Sequence, residues 1–311
     1  MATVCVTGGA GFIGSNLVRR CLENGDRVKV VDDFSTGRIE NLKDIEENIK
    51  LIEADVRDEE IMRDVLGDVK TVYHQAAMPS VPRSMEGPVW TSDITLMGTV
   101  KLLKVAAEMG VERLVYASSS SVYGNQPGFP RSEDMKVAPE SPYAASKASC
   151  ELFAAVFSSQ FPIETVGLRY FNVFGPRQDP SSDYAAVVPA FITALIRGER
   201  PSIYGDGEQS RDFTYVEEVV KANLIAAKKG KSGRVYNVAY QQKITVNNLF
   251  EMIRNAVGSE LAAKYEAPRP GDVKCSYGDR SLLSGDTGFE PSFSVEEGLL
   301  KTVEWYKENL N

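Results

Sequence analysis

Residues 3–14 read Thr-Val-Cys-Val-Thr-Gly-Gly-Ala-Gly-Phe-Ile-Gly. Thr3–Thr7 is rich in β-formers and runs straight into four glycines, Gly8, Gly9, Gly11 and Gly14. Beyond them Ile13, Leu17, Val18, Cys21 and Leu22 recur at helical spacing, so the stretch reads strand, glycine turn, amphipathic helix. The same alternation continues outward. Strands are expected at Arg27–Val31, Ile49–Glu53, Thr71–His74, Arg113–Ala117 and Glu164–Arg169, with helices over Ile94–Glu108 and Tyr143–Gln160. Strands alternating with helices predict an α/β fold, a doubly wound parallel sheet. After Asn172 the pattern loosens, and Pro and Gly punctuate Gly175–Pro189, Gly198–Gly207 and Ala267–Asp272. Long loops in a compact chain commonly carry function. A smaller α/β C-terminal domain that binds substrate is therefore expected, with Arg234–Ala239 as a late strand returning to the first sheet.

The glycine turn fits a dinucleotide. It satisfies Gly-x-x-Gly-x-x-Gly from Gly8 and Gly-x-Gly-x-x-Gly from Gly9. Without Cβ atoms the backbone turns tightly and approaches a pyrophosphate, while the helix N-terminus offers N–H groups and a positive dipole end. Such a motif alone is weak; the flanking strand and helix strengthen it. Asp32 ends the second strand, 18 residues past Gly14. Its carboxylate can accept from both ribose hydroxyls and would repel a 2′-phosphate, which favours NAD over NADP. The competing reading makes Asp32 a turn residue beside Asp33. A second acidic turn, Asp55-Val56, follows the third strand and is a candidate for adenine.

Tyr143 and Lys147 stand four apart in Ser-Pro-Tyr-Ala-Ala-Ser-Lys, on one helix face. A free phenol titrates near pH ~10 and is a poor base at neutrality. A neighbouring ammonium and a positive nicotinamide ring both favour the phenolate. The spacing also occurs on ordinary surface helices; it gains weight from the strand-end run Ser118-Ser119-Ser120-Ser121, whose hydroxyls suit a reacting substrate oxygen.

Composition excludes several other classes. The chain has 311 residues, net charge −8 and a pI near 5.0, with no dense basic run, which argues against nucleic-acid and anionic-membrane partners. Cys5, Cys21, Cys150 and Cys275 lack the clustered spacing of a disulfide framework or zinc site, so reduced thiols and no metal are expected. There is no signal-type opening segment and no membrane-length apolar run, so a cytoplasmic location is expected. His74 is the sole histidine, and a satisfied strand-end role suits it better than that of a catalytic base.

Taken together, Thr7–Gly14, Asp32, His74-Gln-Ala-Ala, Ser119-Ser-Ser-Val-Tyr-Gly, Tyr143-x-x-x-Lys147 and Arg169-Tyr-Phe-Asn-Val-Phe-Gly resemble the extended short-chain dehydrogenase/reductases. Within them the chain is most similar to the nucleotide-sugar 4-epimerases, from residue 1 to about residue 305. The resemblance implies a Rossmann domain over 1–171 with a return segment about 211–240, tightly held NAD, and a UDP-sugar domain over 172–210 and 241–311. It also implies a homodimer packed through the two long helices. By this resemblance Ser119, Tyr143 and Lys147 are catalytic, Tyr143 taking the sugar O4 proton and Lys147 also holding the nicotinamide ribose. Gly8, Gly11, Phe12, Ile13, Gly14, Asp32, Asp33, Asp55, Val56, Tyr143 and Lys147 hold NAD.

For the substrate, Asn172, Arg211 and Arg269 match residues on the diphosphate, Asp272 one on the uridine ribose, and Tyr204 an aromatic flanking uracil. Ser80, Ser119, Tyr143, Ala186, Val187 and Ser276 are also expected to bind the substrate, Ala186 and Ser276 in the sugar pocket. Thr95 replaces a frequent asparagine and receives no role. Pro79, Ala186 and Ser276 stand where glucose/galactose enzymes carry a lysine, an asparagine and a bulky tyrosine. These small side chains resemble the subgroup taking UDP-N-acetylglucosamine and UDP-N-acetylgalactosamine, with UDP-glucose and UDP-galactose also expected as substrates. A dehydratase or decarboxylase would need an acid beside the catalytic hydroxyl, and Ser120, Ser121 and Val122 follow Ser119 instead. A UDP-glucuronate 4-epimerase is the nearer rival. A non-catalytic NAD-sensing protein is the other class, and the presence of both Tyr143 and Lys147 argues against it.

Overall fold

A computed structural model describes residues 2–180, 186–268 and 274–310. In chain order the first part holds β1 (Thr3–Thr7), α1 (Phe12–Glu23), β2 (Arg27–Asp32), β3 (Ile49–Glu53), α2 (Glu59–Leu66) and β4 (Thr71–His74). Then come α3 (Val81–Glu86), α4 (Pro88–Ser92), α5 (Gly98–Glu108), β5 (Arg113–Ser119), α6 (Pro142–Gln160) and β6 (Glu164–Tyr170). Past Asn172 lie β7 (Val173–Phe174), α7 (Val187–Ile196), β8 (Ser202–Tyr204), β9 (Ser210–Arg211), β10 (Thr214–Tyr215), α8 (Val216–Lys229) and β11 (Arg234–Val238). The chain continues with β12 (Ile244–Thr245), α9 (Val246–Val257), β13 (Lys264–Glu266), β14 (Cys275–Ser276), α10 (Ser281–Thr287) and α11 (Val295–Asn309).

Seven strands form one sheet in the order β11-β6-β5-β4-β1-β2-β3. Every pairing in it is parallel. Successive side chains of a strand point to opposite faces, and β1 shows the consequence. Val4 and Val6 enter a core with Leu17, Val18 and Cys21 of α1 and Val219, Val220 and Ala226 of α8. Cys5 enters the opposite core with Met62 and Leu66 of α2, Leu102, Leu103 and Ala106 of α5, and Ala154 and Phe157 of α6. Strand order reverses between β1 and β4, and ligands of such sheets bind in the crevice at the carboxyl ends beside that switch point. Gly8, His74 and Ser119 all lie there.

A third core gathers Phe191, Ile192 and Leu195 of α7, Leu249, Phe250 and Ile253 of α9, and Leu299, Val303 and Tyr306 of α11. Phe12 and Ile13 pack against it, so the start of α1 touches both parts of the molecule. The late strand Arg234–Val238 does return to the main sheet, beside β6.

Two elements differ from expectation. Strand β5 runs on to Ser119, held by its pairing with Tyr170. The helix expected over Ile94–Glu108 is broken: Asp93–Met97 is a π-helical turn, and α5 proper begins at Gly98. Within the turn the Thr95 carbonyl accepts from Thr99 Oγ1 at 2.6 Å and from Cys150 Sγ at 3.5 Å. Side-chain donors competing for a helical carbonyl loosen the regular ladder.

Candidate active site

The glycine turn closes against the strand ends. Gly8 has φ +67°, a conformation that disfavours a side chain, and a Cβ there would stand 2.6 Å from the Ala76 amide nitrogen. At Gly14 a Cβ would fall on the Gly8 carbonyl. The ladder of α1 starts with Ser15 N–H donating to Gly11 O at 3.0 Å. The amides of Phe12, Ile13 and Gly14 precede it and face the crevice as first-turn donors. The Phe12 and Ile13 side chains pack, partly buried, against neighbouring cores. This backbone cradle fits a pyrophosphate.

Asp32 is buried, and its carboxylate accepts from Ala10 N–H at 2.8 Å and Phe34 N–H at 2.9 Å. It therefore is a turn residue, yet an ionised carboxyl has about four acceptor positions, and two remain for ribose hydroxyls. Burial raises its pKa against those two N–H bonds, which lower it. Asp33 is exposed and accepts from Ser35 N–H and Oγ. Asp55 accepts from the Arg57 amide at 2.8 Å and from its guanidinium Nε at 3.0 Å, so the adenine contact expected of it competes with an arginine. Val56 is buried in a core, leaving only its backbone for such a role.

Ser119 and Tyr143 meet. Ser119 ends β5, and its Oγ accepts from Ser121 N–H at 3.2 Å and Ser121 Oγ at 2.8 Å. It lies beside the Tyr143 phenol, whose pKa it lowers. Ser141 caps α6, accepting from Ala144 N–H at 3.2 Å, with Pro142 at the first helical position, which fixes Tyr143 at the helix start. One turn on, Lys147 is 3% exposed and donates to the Ala117 carbonyl at 2.8 Å. Burial outweighs the expected lowering of the phenol pKa. Burial disfavours the charged phenolate and pushes Tyr143 up to about 12, against the lowering by Ser119.

His74 is excluded as a base. Thr99 donates its hydroxyl proton to Thr95 O at 2.6 Å, so at 3.0 Å it accepts from His74 Nε2–H. Nδ1 is then the acceptor for the Thr7 hydroxyl at 2.7 Å. Both nitrogens are used, and burial lowers the pKa to about 3.

Three features escaped the sequence reading. Thr95, left without a role, is fully buried and accepts the Met78 amide at 3.2 Å, tying the loop after β4 to the π turn. Behind Tyr143 and Lys147, Glu151 holds Arg169 through bonds of 2.9 and 2.7 Å, and accepts from Ser118. Arg169 also donates to Tyr123 Oη at 2.8 Å, which donates to Asn237 at 2.7 Å. Charged residues almost never lie buried unpaired, so Glu151 on the sheet-facing side of α6 and Arg169 inside an apolar strand were the available signal. The third is Asp212, a buried carboxylate that holds Tyr240, Gln241 and Gly278 by their backbone amides.

The substrate candidates fall on several elements. Asn172 has φ +25°, tolerated best by Gly, Asn and Asp, and its Nδ2 donates to the Asp212 carbonyl at 3.2 Å. Arg211 lies in β9, paired with Ile244 on one side and Ser276 on the other. Asn172, Arg211 and Ser276 are thus brought together around Asp212. Ser80 caps α3, accepting from Arg83 N–H at 3.3 Å. Ala186 is the exposed cap of α7, Val187 its first residue, and Tyr204 ends β8. Arg269 and Asp272 lie outside the described residues. Among the described residues no His/Cys/Asp/Glu cluster is suited to a metal, and no helix is long and apolar enough to cross a membrane.

Known proteins match the chain along most of its length. The model of the NAD dependent epimerase/dehydratase family matches residues 4–239. A UDP-N-acetylglucosamine 4-epimerase from Methanobrevibacter ruminantium M1, solved in complex with UDP-N-acetylmuramic acid, superposes with a TM-score of 0.94 at 42% identity, over 99% of this chain and 98% of that one. A UDP-glucose 4-epimerase of Mycolicibacterium smegmatis is 38% identical over 97% of each chain. A UDP-glucuronate 4-epimerase of Thermodesulfobacterium geofontis is 32% identical over 100% of this chain and 98% of its own.

Proposed function

This chain belongs to the NAD-dependent epimerase/dehydratase family, and on that premise we propose that it 4-epimerises UDP-N-acetylglucosamine and UDP-N-acetylgalactosamine, and UDP-glucose and UDP-galactose as well. The observation that carries this reading is the placement of Ser119, at the carboxyl end of β5, beside Tyr143 at the start of α6, with Lys147 one turn on and tied to β5 through the Ala117 carbonyl. We assign 1–171 and about 211–240 to the cofactor, and 172–210 and 241–311 to the sugar nucleotide.

The amides of Phe12, Ile13 and Gly14 hold the pyrophosphate of NAD and the open lone pairs of Asp32 hold its adenosine ribose. NAD, when bound, supplies reversible hydride transfer at sugar C4 and a positive ring that favours the phenolate. Tyr143 Oη takes the proton of the sugar 4-hydroxyl and later returns it. Ser119 bonds the same sugar oxygen and keeps Tyr143 in line with it. Lys147 is anchored by Ala117 and presents its remaining N–H groups to the nicotinamide ribose. Asn172 and Arg211 bind the diphosphate. Ser276, the neighbour of Arg211 across the strand pair, leaves room for an acetamido group.

Incubating the protein separately with UDP-N-acetylglucosamine, UDP-glucose and UDP-glucuronate and separating the epimers tests the assignment. Turnover of the first two is expected. Exclusive turnover of UDP-glucuronate would replace the substrate assignment with the uronate one.

Asp32 carries a second test. Asp32→Ala removes the ribose acceptor and leaves the Ala10 and Phe34 amides without their partner. Weaker NAD binding and relaxed exclusion of NADP are expected when apo-protein is titrated with both dinucleotides. An equally tight NAD complex that still rejects NADP would reduce Asp32 to its turn role.

The chain pairs with a second copy through α6 and the segment before α5. Along α6 Leu152 is 71% and Val156 52% exposed, with Phe153 beside them, and Trp90 and Met97 extend the apolar surface. Residues spaced by three and four share one helical face, and an apolar patch of this kind marks an interface. Leu152→Asp with Val156→Asp is expected to shift the protein from dimer to monomer in sedimentation velocity. Wild type sedimenting as a monomer at every concentration would remove the dimer from the account.

A further inference from the structure

We propose that Asp212 is the positioning residue of the diphosphate site: its buried carboxylate ties the segments carrying Arg211 and Ser276 to the exit of β11, and its main-chain carbonyl holds Asn172. The inference rests on the sugar-nucleotide reading above and adds to it a residue that touches no substrate.

Asp212 has no exposed surface, and it directly follows Arg211. Its Oδ1 accepts from Tyr240 N–H at 2.9 Å, and its Oδ2 from Gln241 N–H at 3.0 Å and Gly278 N–H at 3.2 Å. On the other side of the residue, its carbonyl accepts from Asn172 Nδ2 at 3.2 Å. Four separate pieces of chain therefore meet at one residue. These are the turn after β6 with Asn172, strand β9 with Arg211, the exit of β11 at Tyr240–Gln241, and the segment after β14 with Gly278. Ser276 stands two residues from the last of these clips and pairs with Arg211.

An anion gathered by main-chain amides is strongly directional. A carboxylate accepts at about four positions and donates at none, so every bond it makes here fixes one backbone segment relative to the others. The left-handed Gln241 (φ +70°) is the kind of strained backbone that persists only where its surroundings hold it. Gly278 admits no side chain either, since a Cβ would stand 2.7 Å from Phe171. Such built-in constraint is needed where two groups from different strands must grip one diphosphate. Displacing either by about an ångström degrades the geometry.

Asp212→Asn separates positioning from folding. It keeps the shape but turns one acceptor into an N–H donor aimed at amides that also donate. The holoenzyme variant is expected to melt below wild type but to stay folded at the assay temperature, to retain its NAD and to keep kcat within about threefold. KM for UDP-N-acetylglucosamine is expected to rise, and affinity for UDP by calorimetry to fall, each at least ~10-fold, the scale of a lost charge-assisted hydrogen bond. Wild-type UDP affinity and KM in a folded variant would overturn the proposal. A loss of kcat with KM unchanged would overturn it equally, by placing Asp212 in the chemistry. On wild type, which removes any question of folding, UDP should slow hydrogen exchange at Tyr240, Gln241 and Gly278 together. Exchange at these amides unaffected by UDP would contradict the clip. If wild type itself does not bind UDP, it is the sugar-nucleotide reading that fails first.

Discussion

Tyr143→Phe is expected to lower kcat by at least ~100-fold while fold and bound NAD persist, the scale of a lost general base. The change removes one oxygen at the second position of α6 and leaves the helix cap at Ser141 untouched. Ser119 keeps its bonds with Ser121, so no buried hydroxyl is stranded. Among the described residues, neither His74 nor Lys147 is placed to take over the proton. His74, the sole histidine, spends both nitrogens on threonines and is held neutral by burial. Lys147 is committed to Ala117 on one side. Single-turnover and steady-state rates on UDP-N-acetylglucosamine check the expectation. A variant within a few-fold of wild type would place the base elsewhere.

Ser276→Tyr is expected to change substrate preference rather than activity at large. Ser276 is half-buried, and its strand is fixed beside Arg211, so a phenol ring there has little room to swing aside. Overpacking a close-fitted site costs about 1–3 kcal/mol, which is roughly 5- to 150-fold in kcat/KM. The loss should fall on UDP-N-acetylglucosamine and UDP-N-acetylgalactosamine, while UDP-glucose and UDP-galactose turn over nearly as before. Measuring kcat/KM for all four in wild type and variant separates this from a folding defect, which would lower all four together. An unchanged ratio would mean that Ser276 does not border the acetamido group.

The parts of this molecule that sequence reveals are those governed by local rules. Thr3–Thr7, the glycine turn and the α1 stripe are each specified by neighbours in the chain, and the sheet follows from repeating that unit. Tyr143 and Lys147 were legible because four residues make about one helical turn. What stayed hidden depends on distant partners. Nothing local announces that Asp212 will receive amides from Tyr240, Gln241 and Gly278, or that Thr95 will hold the Met78 amide. The π turn at Asp93–Met97 was missed for the same reason, because Cys150 of another helix competes for the Thr95 carbonyl. The pKa of Tyr143 shows a different limit. Spacing places an ammonium near a phenol, whereas the extent of burial that raises the phenol pKa is a property of the folded whole.

The most direct test approaches one equilibrium from both ends. Purified protein without added dinucleotide is given UDP-N-acetylglucosamine in one reaction and UDP-N-acetylgalactosamine in another, and the two sugars are separated over time. The account predicts that both reactions reach the same mixture, and that Tyr143→Phe slows each by the same factor. Recovery of each sugar unchanged, with NAD bound to the protein, would contradict it.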